Sequence, residues 1–361
     1  MVMMGKNPRR RPDGWVDTAA FLARAEAYEK SGSPRNAEDA YNSLIITAAR
    51  QGDQAMLAEA FRRRAILAHQ AGDSAKARSA LQQSYAVTTL LGDRLLSART
   101  LNTLGGLELE TRNLDAAETA LTEAAGLAGD DPLLVARVFQ NLGIVANIRG
   151  DHAAAQVNYL RSLAAYESMS DTHGSAISRH NLGMLAADRG NFDQALEHYD
   201  KCGALARQSG DEHLGALCRV NAAEALLAVG RAKEARIAVE EAQRTFESLE
   251  AHFDAPDTQR VLALCDRADG LLRQAETRLL RARELARVAE ARLIEAEVTR
   301  DLGRVYAESG RLGEAQVALA EAIRTFEELG AEADVESTGR ELAGLASLAA
   351  VTSDLGRTLD E

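Results

Sequence analysis

Side chains that could hold a metal ion or act as nucleophiles are sparse in this chain. His198 and Cys202 are four residues apart, so on a helix both would lie on one face and could share a metal ion. The sequence contains no GxxxxGKS/T phosphate loop, GxSxG elbow, HExxH pair, CxxC pair or EF-hand loop. It therefore predicts no enzyme activity, no metal and no cofactor. We interpret Cys202 as a packing residue, because the corresponding positions elsewhere are mostly small: Ser84, Ala124, Ser162, Ala242, Ala282 and Ala322.

Three asparagines recur at one position of a helical pattern: Asn141, Asn181 and Asn221, at intervals of 40 residues. A side-chain amide offers both a donor and an acceptor, so it can hydrogen-bond the backbone of an extended peptide whatever its sequence. Asparagine is a mediocre helix former, so its repetition in helices needs an explanation. We predict a ladder of amides that binds a peptide. The alternative is that these amides hold adjacent helices together.

Arginines cluster near the same position in the first half of the chain. A guanidinium matches the geometry of a carboxylate, so the cluster predicts an acidic or carboxylate-bearing partner segment. Internal pairing with Glu59, Glu108 or Glu110 is the alternative. The remaining candidate peptide-binding residues are Arg62, Arg63, Arg99, Asn102, Arg137, Gln140, Asn147 and His180.

The elements that carry these residues repeat along the chain. A turn position recurs in steps of 40 residues, with one step of 38, and the residue five positions later is always alanine. The residue seven positions before the turn is always small, and the residue nine positions after it is bulky, as expected where two helices approach closely. A fixed period in this range is typical of a stacked helical repeat. The turn positions are Gly32, Gly72, Arg112, Gly150, Gly190, Gly230, Gly270 and Gly310.

The best copy, with Leu182-Gly183, Gly190, Ala195 and Tyr199, resembles the tetratricopeptide repeat family. The period resembles the 40-residue variety of Leu-Gly-Asn/Pins-type adaptors and bacterial regulators. The resemblance covers roughly residues 18–349. It implies an all-α, right-handed superhelical solenoid of about eight helix-turn-helix repeats plus a C-terminal capping helix. In the 40-residue adaptors it also implies ligand-contacting asparagines at the column of Asn141, Asn181 and Asn221.

The sequence predicts three regions: a disordered basic arm (1–16), the repeat array (17–350) and a flexible tail (351–361). An alternative for the arm is contact with an acidic partner or with the acidic body. We expect residues 335–349 to form the capping helix. Residues 276–309 contain no proline and one glycine, so a helix break near 289–291 and a single long helix are both open.

The overall composition argues against some classes of partner and indicates a compartment. The formal net charge of −12 argues against general nucleic-acid binding, which needs an excess of Lys and Arg. No apolar run is long enough to span a bilayer, so we expect no membrane insertion. Cys202, Cys218 and Cys265 show no paired spacing, and we expect free thiols in a reducing, cytoplasmic compartment.

We interpret the chain as a non-enzymatic scaffold or adaptor that binds an extended or helical peptide segment of a partner protein in a concave groove. The alternative is a regulatory, peptide-sensing protein that controls another enzyme or a transcription factor. Only about seventeen residues precede the array, so we expect no output module in this chain. Self-association as a homodimer is a further alternative.

Overall fold

The computed structural model describes residues 16–359, with side chains for residues 16–347. Within this part the regular structure consists of seventeen α-helices and one 3-10 turn, which confirms the all-α prediction. The chain divides into two compact units, residues 1–171 and 172–361, and each is described by itself. Residues 1–15 of the predicted arm and 360–361 of the predicted tail lie outside the described residues.

The first unit is a stack of four antiparallel helix pairs. In each pair the first helix is followed after a tight turn by the second, and the first helices of successive pairs contact one another. Its helices are α1 (Thr18–Lys30), α2 (Pro34–Gln51), α3 (Gln54–Gln70), α4 (Ser74–Leu91), α5 (Arg94–Glu110), α6 (Leu114–Leu127), α7 (Pro132–Ile148) and α8 (His152–Ser168).

The second unit contains four more pairs and a final helix. The predicted break near 289–291 is confirmed, since α14 ends at Val288 and α15 begins at Arg292, and the single long helix is excluded. Val335 of the last helix packs on Ala322 and Phe326, as expected of a capping helix. The helices are α9 (Thr172–Asp188), α10 (Phe192–Ser209), α11 (Glu212–Ala228), α12 (Ala232–Ser248), α13 (Ala255–Ala268), α14 (Leu272–Val288), α15 (Arg292–Glu308), α16 (Leu312–Leu329) and α17 (Glu332–Leu359), with a 3-10 turn at His252–Asp254.

Glycine and aspartate set the helix ends between pairs. Gly52 ends α2 in the left-handed conformation (φ 71°), and the Asp53 side chain accepts a hydrogen bond from the Met56 backbone N–H at the start of α3. At α7 Asp131 accepts from the Leu134 N–H, and Pro132 opens the helix.

The two helices of a pair approach most closely at the small column. A Cβ atom added to Gly143 would lie 2.5 Å from the Tyr159 ring, and one added to Gly183 would lie 2.5 Å from the Tyr199 ring. The alanine five residues after the turn is fully buried, as Ala195 shows. The small and bulky residues that recur around each turn in the sequence therefore make the close contacts between the two helices of a pair.

The cysteines correct the sequence-based expectation. Cys202 of α10 and Cys218 of α11 form a disulfide with Cα atoms 6.7 Å apart, so the free-thiol prediction is wrong for both. The two helices pack side by side, which brings residues 16 positions apart into contact without any signal in linear spacing. Cys265 is free and buried. Because two of the three cysteines form a disulfide, the cysteines no longer indicate a reducing compartment.

One turn position holds a residue other than glycine, which allows backbone strain to be tested. Arg112 occupies the turn position of the third pair with φ of 60° and an exposed side chain. An L-residue in this conformation costs about 1 kcal/mol. We expect Arg112→Gly to raise the free energy of unfolding by about 0.5–1 kcal/mol, since the greater freedom of glycine in the unfolded chain offsets part of the gain.

Chemical denaturation followed by circular dichroism measures this difference. Gly190→Ala is the matched control, because Gly190 has φ of 73° in the corresponding turn and a Cβ there would meet no neighbour. The control should lose about 1 kcal/mol. A stability unchanged or lowered by Arg112→Gly would contradict the interpretation.

Candidate functional site

In the first unit, an amide pair lies on the surface formed by the first helices α3, α5 and α7. Asn141 Nδ2 of α7 donates to Asn102 Oδ1 of α5 at 3.2 Å. Two depressions of about 260 Å³ and about 290 Å³ adjoin this pair, and Asn102 and Thr103 line both. We call this region the amide groove. Its lining includes Arg62, Ile66, His69, Arg99, Asn102, Thr103, Gly106, Glu110, Asp131, Leu133, Leu134, Arg137 and Asn141.

Two of the four predicted arginines are engaged by an acidic side chain of their own helix. Glu59 accepts from Arg62 Nη2 at 2.6 Å and from Arg63 Nε at 2.9 Å, and Arg63 also pairs with Glu26 at 2.8 Å. Burial alone would raise the pKa of Glu59, but the two guanidiniums more than offset it and lower that pKa. Internal pairing, the alternative named for this cluster, therefore accounts for Arg62 and Arg63.

The other two arginines, like Arg62, line the amide groove. Arg99 Nη2 lies 3.1 Å from Asp131 Oδ2, and its side chain is half exposed. Arg137 is exposed beside Leu133 and Leu134. The groove thus places guanidiniums next to an apolar edge.

Gln140 and Asn147 of α7 contact the second helix of their own pair. Tyr166 Oη of α8 donates to Gln140 Oε1 at 3.4 Å, and Asn147 Oδ1 lies 3.3 Å from His152 Nδ1. These contacts hold α7 and α8 together. The structure does not bring the two side chains to the amide pair.

In the second unit, Asn221 pairs with a histidine. Asn221 Nδ2 of α11 lies 2.8 Å from His180 Nε2 of α9. Burial lowers the pKa of His180, which favours a neutral imidazole whose Nε2 accepts this hydrogen bond. Asn181 Nδ2 is buried and has no hydrogen-bond partner in the described part of the chain. Asn221 thus contacts the first helix of the preceding pair, as in the alternative in which the amides hold adjacent helices together.

A charge cluster on α11, α13 and α15 escaped the sequence analysis. Arg260 of α13, 7% exposed, lies 2.8 Å from Asp257, 3.5 Å from Glu297 and 3.4 Å from the fully buried Asp301, and it also contacts Glu224. Burial opposes the charged guanidinium, but the four carboxylates raise the pKa of Arg260 well above its usual range. Arg260 and Asp301 are 41 residues apart in the sequence, as are His180 and Asn221. Comparing residues at this separation could have predicted the contact between Arg260 and Asp301.

The arrangement provides hydrogen-bond donors, acceptors and charges. Among residues 16–347, no group of three or more His, Cys, Asp or Glu side chains is placed to hold a metal ion. Because the Cys202 sulfur is bonded to Cys218, it cannot share a metal ion with His198, as the four-residue spacing had allowed. None of the described helices is long and apolar enough to cross a membrane.

Glu297 gives this cluster a pH dependence. Burial raises the pKa of Glu297 to about 7 despite the nearby Arg260, so the folded chain retains a proton that the unfolded chain releases near pH 4.5. The proton retained on Glu297 stabilises the folded chain fully below the pKa that this carboxyl has in the unfolded chain. This stabilisation is lost as the pH rises through about 7. We expect Glu297→Gln to exceed wild type by about 1–3 kcal/mol in unfolding free energy at pH 8, and by only a few tenths at pH 4.5.

Denaturation at the two pH values tests this prediction. The control is Glu59→Gln, the same substitution at a carboxyl whose pKa is lowered by Arg62 and Arg63. It should destabilise the chain at pH 8, where the ionised carboxylate is the favoured partner of the two arginines. Equal effects of both substitutions at pH 8 would contradict the assigned environments.

Comparisons with known proteins agree with this geometry. The sequence profile described as "Tetratricopeptide repeat" matches residues 174–248 and 254–328. Photosystem I assembly protein Ycf3 from Synechococcus elongatus and from a second Synechococcus strain is 32% identical over 73 residues, which cover 20% of this chain and 42% of the relative. The match therefore spans less than half the length of these curated relatives.

Solved structures share the fold at low sequence identity. A STAND signal transduction ATPase with a tetratricopeptide repeat sensor, from Pyrococcus horikoshii, has a TM-score of 0.63 at 15% identity over 89% of this chain and 50% of that one. A Rap protein complexed with Competence and Sporulation Factor has a TM-score of 0.60 at 14% identity over 92% of this chain and 98% of its own. Aspartyl phosphate phosphatase F from Bacillus subtilis has a TM-score of 0.67 at 9% identity over 85% of this chain and 79% of its own. The profile match and the repeated helix pairs together show that residues 174–248 and 254–328 are tetratricopeptide repeats.

Proposed function

We propose that the chain is a non-enzymatic interaction scaffold that binds a peptide segment of a partner protein in the amide groove. The observation that carries this proposal is the Asn141–Asn102 hydrogen bond. It uses one donor and one acceptor, and it leaves Asn102 Nδ2 and Asn141 Oδ1 for a ligand. One donor and one acceptor are what a single peptide unit requires, because it presents one C=O and one N–H.

The rest of the groove favours an extended segment with an acidic residue. Arg137 and the half-exposed Arg99 supply guanidiniums beside the amide pair, whereas Arg62 and Arg63 are engaged by Glu59. Leu133 and Ile66 give apolar contacts at the two depressions. Backbone hydrogen bonds would therefore position the peptide, and a carboxylate paired with Arg137 would select it.

The first test compares the partners captured from native lysate by wild type and by Asn102→Ala/Asn141→Ala. Loss of the free amide groups should reduce the captured amount of a true partner about tenfold, the effect expected for one or two lost hydrogen bonds. Gln82→Ala is the matched control, because this exposed amide lies on α4, outside the groove lining. Circular dichroism and light scattering verify that each variant folds and report any self-association.

Arg137→Gln tests the acidic character of the segment separately. It should weaken capture about threefold to tenfold and reduce its dependence on salt, since a charge-assisted contact is lost. Equal capture by wild type, the amide variant and the Gln82→Ala control would overturn the proposal of peptide binding in this groove.

A further inference from the structure

A second cleft lies in the second unit between α10, α11 and α12. It has a volume of about 440 Å³. On α11 its lining residues 215, 218, 219, 222 and 226 form one stripe, and Asn221 lies about 120° around the helix from the centre of that stripe. The cleft shares no lining residue with the amide groove of the first unit.

The cleft is open because Gly203 lies where most other pairs carry a larger side chain. A Cβ atom added to Gly203 would meet no neighbour within 4 Å. Small residues of α11 and α12, Ala222 and Ala238, line the same space. The positions that correspond to Gly203 in six other pairs hold Ile45, Tyr85, Leu163, Gln243, Arg283 and Ile323.

The lining separates into an apolar wall and a charged rim. Leu196, Tyr199 and Leu226 supply the apolar wall. Three guanidiniums and two carboxylates line the rim, so its formal charge is positive although the whole chain carries −12. They belong to Arg207, Arg219, Arg231, Asp200 and Glu234.

The rim arginines differ in how far they are already paired. Arg231 donates two hydrogen bonds to Glu234, at 2.8 and 2.7 Å, so these two charges offset each other. Arg219 Nε lies 3.7 Å from Glu241, beyond hydrogen-bond distance. Arg207 of α10 is exposed at the cleft. Arg207 and Arg219 thus retain donors for an anion.

We propose that this cleft binds a small amphipathic carboxylate, with its apolar body against Leu196, Tyr199 and Leu226 and its carboxylate between Arg207 and Arg219. The volume falls within the range of small-molecule sites, about 300–1,000 Å³. An apolar wall supplies affinity, and two guanidiniums supply selectivity for an anion over a neutral molecule with the same body. This site is independent of the proposed peptide binding.

The test is calorimetric titration of the full chain with decanoate and with decanol, both below their aggregation concentrations. Decanoate should bind, and decanol should bind at least about fivefold more weakly because it cannot pair with the guanidiniums. Gly203→Leu should abolish decanoate binding by filling the space, and Leu163 shows that the corresponding position of another pair accepts leucine. Gly313→Leu is the matched control, since a Cβ at this glycine of α16 also meets no neighbour.

Arg207→Gln and Arg219→Gln should each weaken decanoate binding about threefold to tenfold and leave decanol unchanged. Helix content and thermal midpoint establish that the variants fold, and leucine has a higher helix propensity than glycine. Undiminished binding to Gly203→Leu, no binding of decanoate to wild type, or equal affinity for decanoate and decanol would each overturn the proposal.

Discussion

The close approach of the two helices in each pair is the constraint on which the remaining structure depends. At Gly143 and Gly183 there is no room for even a methyl group, because the rings of Tyr159 and Tyr199 occupy the space. This contact fixes the rotation of the first helix about its axis. Once that rotation is fixed, the residues two and three positions earlier along the same helix must face the neighbouring pair. The steric fit within each pair therefore determines which side chains face the neighbouring pair.

Adjacent pairs meet through one recurring contact whose chemistry changes along the chain. A residue ten positions before the turn contacts the residue nine positions before the turn of the next pair. In the first unit this contact joins Arg62 to Thr103 and Asn102 to Asn141. In the second unit it joins His180 to Asn221 and Arg260 to Asp301, while Val220 and Val261 belong to one apolar cluster. At these five junctions polar residues meet polar residues, and apolar residues meet apolar ones.

The fold was predictable from the sequence because it depends on periodic features: the 40-residue period, the small and bulky columns, and the caps such as Asp53 and Asp131. Individual side-chain partners were less predictable. Arg62 and Arg63 pair with Glu59, three and four residues away, although Arg62 also lines the groove. The position of a residue in the repeat does not by itself decide between such competing partners. The Cys202–Cys218 disulfide depends on how α10 lies against α11, which the period does not specify. The Arg260–Asp301 contact was accessible, but only by comparing neighbouring columns at an offset of 41 residues.

The changing contact between neighbouring pairs has a consequence for how such an array can evolve. Removing the 40 residues from Gly190 to Val229 would preserve the period, the turns and the close approach within every remaining pair. It would nevertheless bring the His180 imidazole, which now meets Asn221, against the buried apolar Val261. A buried polar group without a partner costs about 1–3 kcal/mol. The order of the pairs is therefore encoded in their contacts, and losing a pair carries an energetic cost even where the backbone would tolerate the loss.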